Sequence, residues 1–343
     1  MRDLLPTHRP ALVLAPMQDV TDLSFMRVVA RRGAPDWFVT EYFRVHPASR
    51  LERHVLRAIT ENRTGRPVFA QLIGSDPDSL ARTARELAAF PIAGIDINLG
   101  CPAPIVCRKN AGGGLLRDKE TRVRILGTLR DSIEGLFTVK TRVGYETPDE
   151  FSALLDDFLQ HGIDGLSVHG RTVTERYQTP VHPEKVRMAV ETMNCPVIAN
   201  GNIVDVATAR AYHAATGAAG LMIGRGAIRN PWIFAQVSAA FENTAPPVST
   251  HRDLWDYIRE LSHDLASQHT DFDPLKHVQR MKKTLAYISH GLDGDFEFHM
   301  RRAKTPEDLD AACQGALDND EPLPALPPQD SKLFCGFGDL VRS

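Results

Sequence analysis

Cys101 stands in Asn98-Leu99-Gly100-Cys101-Pro102, directly after the mostly apolar run 94–97, so a thiol is presented where Pro102 bars a buried strand from continuing. Gly112-Gly113-Gly114 follow and give the next loop freedom to move. A thiol so placed can do chemistry; the competing role for a free cysteine is a small core hydrophobe. Lys140 ends another apolar run. There it can hold negative charge on a ligand, form a Schiff base, or pair with an acid, of which Glu41 is the one evident at the neighbouring run ends. His169 ends a third run and suits proton donation, cofactor contact or a satisfied core position equally. Gly201 and Gly224-Arg225-Gly226 offer backbone N–H groups that can approach closely and a guanidinium fork, which is what a phosphate needs; a pair of tight turns is the alternative.

Elements that could bring these groups together are legible in the hydrophobic pattern. Eight apolar runs of strand length (11–15, 37–40, 68–72, 94–97, 136–140, 165–168, 196–199 and 220–223) alternate with segments of helical spacing. Thr147-Pro148-Asp149-Glu150 is a capping box, and Asp76-Pro77 and Asp205 open further helices. Strands too apolar to have a wet face predict an α/β fold, a parallel (β/α)8 TIM barrel, with a doubly wound open sheet as runner-up. A barrel gathers function where strands run out. Those points carry Pro16-Met17, Glu41, Gln71, Asn98 to Cys101, Lys140 and Arg142, His169 and Arg171, Asn200-Gly201-Asn202, and Gly224-Arg225-Gly226.

Beyond residue 250 the pattern is helical only, with starts at Thr250, Asp273-Pro274 and Thr305-Pro306. The expected division is a catalytic barrel over 10–245, a small all-α domain over 246–320, and a proline-rich linker and tail over 321–343. Lys276, Arg280, Lys283 and Tyr287 form one stripe on the helix opening at Pro274, set apart from Leu275, Val278, Leu285 and Ile288. Basic and aromatic groups together suit a nucleic acid, and a solvated face is the commoner explanation. Net charge gives no such argument, with 40 Lys+Arg against 43 Asp+Glu. Five cysteines without a C-x-x-C pair argue against a disulfide framework and a structural zinc site, so no metal is expected. With no signal peptide or membrane-length apolar run, a soluble cytoplasmic protein is expected.

Taken together, Ala15-Pro16-Met17, Ala70-Gln71-Leu72, Asn98 to Pro102, Lys140-Thr141-Arg142, His169-Gly170-Arg171-Thr172, Ala199-Asn200-Gly201 and Met222 to Gly226 resemble the tRNA-dihydrouridine synthases, in order from about residue 11 to 290. The resemblance implies an FMN-binding barrel, a helical tRNA-binding domain, and reduction of a tRNA uridine with NADPH. It assigns Pro16, Met17, Gln18, Gln71, Lys140, His169, Asn200, Gly201, Asn202, Gly224 and Arg225 to FMN. Cys101 matches the family's proton donor, and Arg44, Asn98, Arg142 and Arg171 would hold the uracil or a neighbouring phosphate. Thr40 to Val45, the run His277 to Lys282 and Arg301 resemble the bacterial subgroup acting on uridine 16, which adds Lys282 and Arg301 to Lys276, Arg280 and Lys283 on the tRNA side. Cys107-Arg108-Lys109 looks more like other subgroups, and the tail beyond Asp320 departs from the pattern. No protein partner and no membrane are implied. Two rivals stand beside this: a Schiff-base aldolase-type lyase using Lys140 on a sugar phosphate, and a non-catalytic tRNA-binding protein. A small-molecule flavoenzyme would leave the helices unexplained.

Overall fold

Strands form where the apolar runs stand because every one of them is buried on both faces. The computed structural model describes residues 1–333, apart from 178, 269–271, 293, 325, 329–330 and 332. The first half of the ring is β1 (Ala11–Leu14), α1 (Leu23–Gly33), β2 (Trp37–Arg44), α2 (Arg53–Thr60), β3 (Val68–Ile73), α3 (Pro77–Leu87) and β4 (Gly94–Leu99). A short α4 (Pro104–Cys107) and α5 (Lys119–Ser132) lead to β5 (Leu136–Arg142), α6 (Phe151–Gln160), β6 (Gly165–His169) and α7 (Pro183–Thr192). The ring ends with β7 (Val197–Asn200), α8 (Val206–Thr216), β8 (Gly220–Ile223), α9 (Arg225–Arg229) and α10 (Ile233–Phe241). All neighbours are parallel and β1 pairs with β8, Ala11 opposite Gly220, so the sheet is a closed eight-stranded barrel. The open-sheet alternative is thereby excluded.

Alternation along the strands divides the core in two. Leu12, Leu14, Phe38, Ile95, Ile97 and Val139 belong to the large apolar layer shared with the helices. Val13, Trp37, Val39, Phe69, Ile198 and Met222 form a second, smaller cluster, with Met1, Leu4 and Leu5 packed against it. Polar Gln71, Asp96 and Thr138 are also buried, side by side on β3, β4 and β5.

Three strands run two or more residues further than their apolar runs. β2 continues through Glu41 to Arg44 across a register break between Val39 and Tyr42, β4 continues to Leu99, and β5 to Arg142. Ladder pairing explains this: Asn98 lies opposite Lys140, and Arg142 opposite His169. The predicted helix starts are present, with Asp76, Asp205 and Thr250 capping their helices and the Thr147–Glu150 box preceding α6.

The remaining helices are α11 (His251–Ser267), α12 (Pro274–Ile288), α13 (Gly294–Arg302) and α14 (Pro306–Leu317). α11 packs on α1 and α12 on α9. Leu275, expected on the apolar side of α12, is 57% exposed. Among the described residues no helix is long and apolar enough to cross a membrane. The expected linker folds back: Pro322 bridges Thr250 in an antiparallel pair, Leu323 N donates to Ser249 O at 2.9 Å, and Leu333 is buried. Cys335 and the last ten residues of the expected tail lie outside the described residues.

Candidate functional site

Asn98 builds the turn that presents Cys101. Its Oδ1 accepts from the backbone N–H groups of Gly100, at 3.0 Å, and Cys101, at 2.9 Å. Arg142 Nε donates to Gly100 O at 2.9 Å, and Gly113 N donates to Cys101 O at 3.1 Å. The glycine run, expected as a mobile loop, is instead a buried 3-10 helix over Gly112–Arg117. A Cβ on Gly113 would stand 2.8 Å from Cys101 O, and one on Gly114 2.8 Å from Cys107 O, so these residues are glycines for close packing. Burial raises the Cys101 thiol above its ordinary range against the opposing pull of the Ala103 amide, Arg142, Lys140 and Arg44. The group is a protonated thiol at neutral pH, suited to give a proton rather than to attack.

Lys140 Nζ donates to Asn200 Oδ1 at 3.3 Å, and Asn200 Nδ2 donates to Met222 O at 2.8 Å. Burial, with Arg142 nearby, lowers the ammonium to about 8, partly offset by Asp96 and Cys101. His169 is held neutral, well below the ordinary histidine value, by burial and by the surrounding cations Arg142, Lys140, Arg171 and Arg225. Its buried Nδ1 has no hydrogen-bond partner among the described residues.

These groups share one cleft of about 410 Å³ at the strand ends. Pro16, Met17 and Gln18 line it from the β1 side, and Asn200, Gly201, Asn202, Gly224 and Arg225 line it beyond β7 and β8. Gly201 has φ +138, and a Cβ there would stand 2.8 Å from Val181 Cγ1, so the turn requires glycine. Arg171 is 1% exposed, donates to Asn202 Oδ1 at 3.3 Å, and is lowered to about 10 by burial and by Arg225 and Arg142. Crowded guanidinium groups, a partnerless imidazole nitrogen and glycine turns in one cleft fit a planar ligand that carries a phosphate. A larger groove of about 640 Å³, lined by Arg210, Asn230, Leu254 and Leu323 among others, has no thiol, imidazole or glycine turn in its lining.

Three expected contacts do not line the cleft: Arg171, Gln71 and Arg44. Gln71 is fully buried beneath the site, bonded to Asn98 at 2.9 Å and Asp96 at 2.7 Å. Arg44 is exposed at the rim, its guanidinium 5.3 Å from the Tyr42 ring. On α12 the stripe is divided. Arg280 pairs with Asp22 and Lys283 with Asp19 at 3.4 Å, both in the β1–α1 loop, while Lys276 pairs with Asp273 at 3.5 Å and is 84% exposed. Lys282 Nζ donates to the Arg301 and Ala303 carbonyls, and Arg301 pairs with Glu297, so both tie α12 and α13 locally.

Sequence patterns missed Tyr177, whose ring lies 4.3 Å from the Arg225 and 5.5 Å from the Arg142 guanidinium at the cleft wall. It sits in an irregular loop without periodicity; an aromatic so close after His169-Gly170-Arg171 was the available signal. Asp96 was also passed over, although an acid inside an apolar strand run is conspicuous.

Residues 13–320 match the family model described as dihydrouridine synthase (Dus). A tRNA-dihydrouridine(16) synthase of Neisseria meningitidis serogroup B is 34% identical over 253 residues, 71% of this chain and 76% of the relative. One from Cupriavidus necator is 30% identical over 317 residues, covering 89% of this chain and 96% of its own. A protein of Xanthomonas axonopodis pv. citri named tRNA-dihydrouridine synthase B is 32% identical over 305 residues, 87% and 90% of the two chains. Among solved structures, histamine dehydrogenase from Rhizobium sp. 4-9 shares the fold alone, with a TM-score of 0.51 and 11% identity over 73% of this chain and 49% of that one. On a match that runs from the first strand to the last helix, the chain belongs to the dihydrouridine synthase family.

Proposed function

We propose that the protein reduces uridine 16 in the D-loop of tRNA to 5,6-dihydrouridine, with FMN in the barrel-mouth cleft and NADPH as the source of electrons. The observation that carries this is the convergence on one cleft of a protonated thiol, a neutral imidazole and buried cations between two glycine turns. FMN, when bound, supplies the two-electron chemistry that no side chain offers. Pro16, Met17, Gln18, Lys140 and His169 would hold its ring system, with Gln71 supporting from below, and Asn200, Gly201, Asn202, Gly224 and Arg225 its phosphate. Lys140 stabilises negative charge there.

Cys101 holds a proton at Sγ for delivery to C5 of the uracil. Asn98 and Arg142 keep that thiol in place, and Arg44, exposed at the rim, and Arg171, bonded to Asn202, would hold a neighbouring phosphate. The base must leave the tRNA stack to reach the cleft, which is cheapest in a loop. The helices over 246–320 act as the tRNA-binding domain, with Lys276 and Lys283 as exposed contacts and Arg280, Lys282 and Arg301 shaping the surface. Relatives named for uridine 16 at 30–34% identity support that position.

Purified protein should show a flavin absorption spectrum. Cys101→Ala should stay yellow and lose dihydrouridine formation on unmodified tRNA, with mass mapping of wild-type product placing the modification at 16. Colourless protein or a fully active Cys101→Ala variant refutes the proposal; product at another uridine refutes the position.

A further inference from the structure

We propose that Asp96 is a positioning residue of this site, the acceptor at the root of a one-way hydrogen-bond relay that keeps Asn98 facing the backbone of Cys101. Thr138 Oγ1 donates to Asp96 Oδ1 at 2.6 Å, Gln71 Nε2 donates to Asp96 Oδ2 at 2.7 Å, and Asn98 Nδ2 donates to Gln71 Oε1 at 2.9 Å. Asn98 Oδ1 then accepts from Gly100 and Cys101. All four side chains are buried, on adjacent strands.

The polarity follows from the top. Backbone N–H groups can only donate, so Asn98 must offer them oxygen and turn its amide nitrogen toward Gln71. Gln71 must meet that nitrogen with oxygen, leaving its own nitrogen facing position 96, where only an acceptor completes the chain. A carboxamide has two nearly isosteric orientations, and a carboxylate, which only accepts, removes the choice for both. Fold stability does not ask for this acid. Burial raises its pKa, offset by Thr138, Gln71 and the charge of Lys140, and a buried carboxylate costs more than a neutral group of the same shape.

With Asp96→Asn the root no longer only accepts: the new amide can keep its oxygen on the Thr138 hydroxyl and turn N–H toward Gln71, or offer N–H to that hydroxyl, which also accepts, so the direction of the relay is no longer fixed. In the first of these states Gln71 and Asn98 invert, setting N–H against N–H at Cys101. The exchange Gln71→Glu/Asp96→Asn restores the polarity, because a carboxylate at 71 accepts from both neighbours.

The inference rests on Cys101 as the reacting group, and the test keeps the two separable. In the purified holoenzyme, alkylation of Cys101 by iodoacetamide is followed by mass spectrometry with Cys195 as internal reference, which needs no tRNA turnover. Single-turnover oxidation of the reduced holoenzyme by unmodified tRNA is measured in parallel. Asp96→Asn should speed alkylation and slow the tRNA step by about tenfold each, the rate equivalent of one buried hydrogen bond. Asn98→Ala should do the same, the double variant should be no worse than Asn98→Ala alone, and the exchange should return both readouts to within about twofold of wild type. Additive effects, or no rescue by the exchange, overturn the proposal. If Asp96→Asn does not fold, Gln71→Met, which cuts the relay at its middle, must produce the same rise in alkylation; no rise overturns it equally. Wild-type protein that ignores tRNA sinks the proposed reaction and leaves the alkylation test standing.

Discussion

Gly113→Ala separates packing from motion in the segment beneath Cys101. An alanine Cβ would stand 2.7 Å from Val173 Cγ2 and 2.8 Å from the Cys101 carbonyl oxygen, where ordinary contact needs at least 3.4 Å. Val173 can give by a rotamer change, but the carbonyl is backbone and already accepts from Gly113 N at 3.1 Å. Overpacking of a dense core costs about 1–3 kcal/mol, and a backbone obstacle puts this site in the upper half of that range. Gly135 is the matched control, with nothing within 4 Å of its Cβ. There alanine should be neutral or stabilise by about 0.4–1 kcal/mol through reduced freedom of the unfolded chain. Urea unfolding followed by circular dichroism gives both values, and dihydrouridine formation should fall in Gly113→Ala below what its folded fraction accounts for. A Gly113→Ala protein as stable as Gly135→Ala refutes the packing argument and returns the segment to a hinge.

Arg122→Leu should cost about 3–5 kcal/mol by the same method, because Asp157, 1% exposed, loses its buried charge partner and keeps only the exposed Lys119 at 3.5 Å among the described residues, and the Leu115 and Leu116 carbonyls lose their donor; a loss below about 1 kcal/mol contradicts the role given to this pair. Glu41 is raised to about 7, first by burial and then by the charge of Asp22. The folded state therefore holds the proton that the unfolded state releases near 4.5, so wild-type stability falls as pH rises from about 4.5 to 7 and stays reduced above. Glu41→Gln should be more stable than wild type at pH 8 by about 1–3 kcal/mol, with the gain gone below pH 4.5; a gain independent of pH contradicts the assignment. Lys276→Glu with Lys283→Glu should raise the tRNA concentration for half-maximal activity several-fold and flatten its salt dependence; an unchanged requirement removes α12 from the tRNA surface.

The ring was legible because its strands are apolar on both faces, which few other folds demand, and because polar residues stand where those runs stop. What the runs could not reveal is how far the ladders continue. Glu41, Asn98 and Arg142 look like loop residues in one dimension and become strand residues once neighbours pair with them. Gln71 was read as a ligand contact, yet its place on the inward face of β3 commits it to Asn98 and Asp96. Three glycines in a row read equally as hinge or as close packing, and only the carbonyls opposite them decide. Arg280 was expected as a free cation in a stripe; its partner Asp22 lies 258 residues away in sequence, beyond the reach of any local pattern.

Closure of the ring by the pair Ala11–Gly220 has a consequence for synthesis of the chain. β1 emerges from the ribosome first, but one of its hydrogen-bonding edges finds no neighbour until residues 220–223 have been made. Until then the nascent protein carries an unsatisfied ribbon at each end of a growing crescent, the arrangement most prone to pairing with a stranger. A fragment that stops short of β8 should be insoluble for this reason, even though seven of its strands are complete.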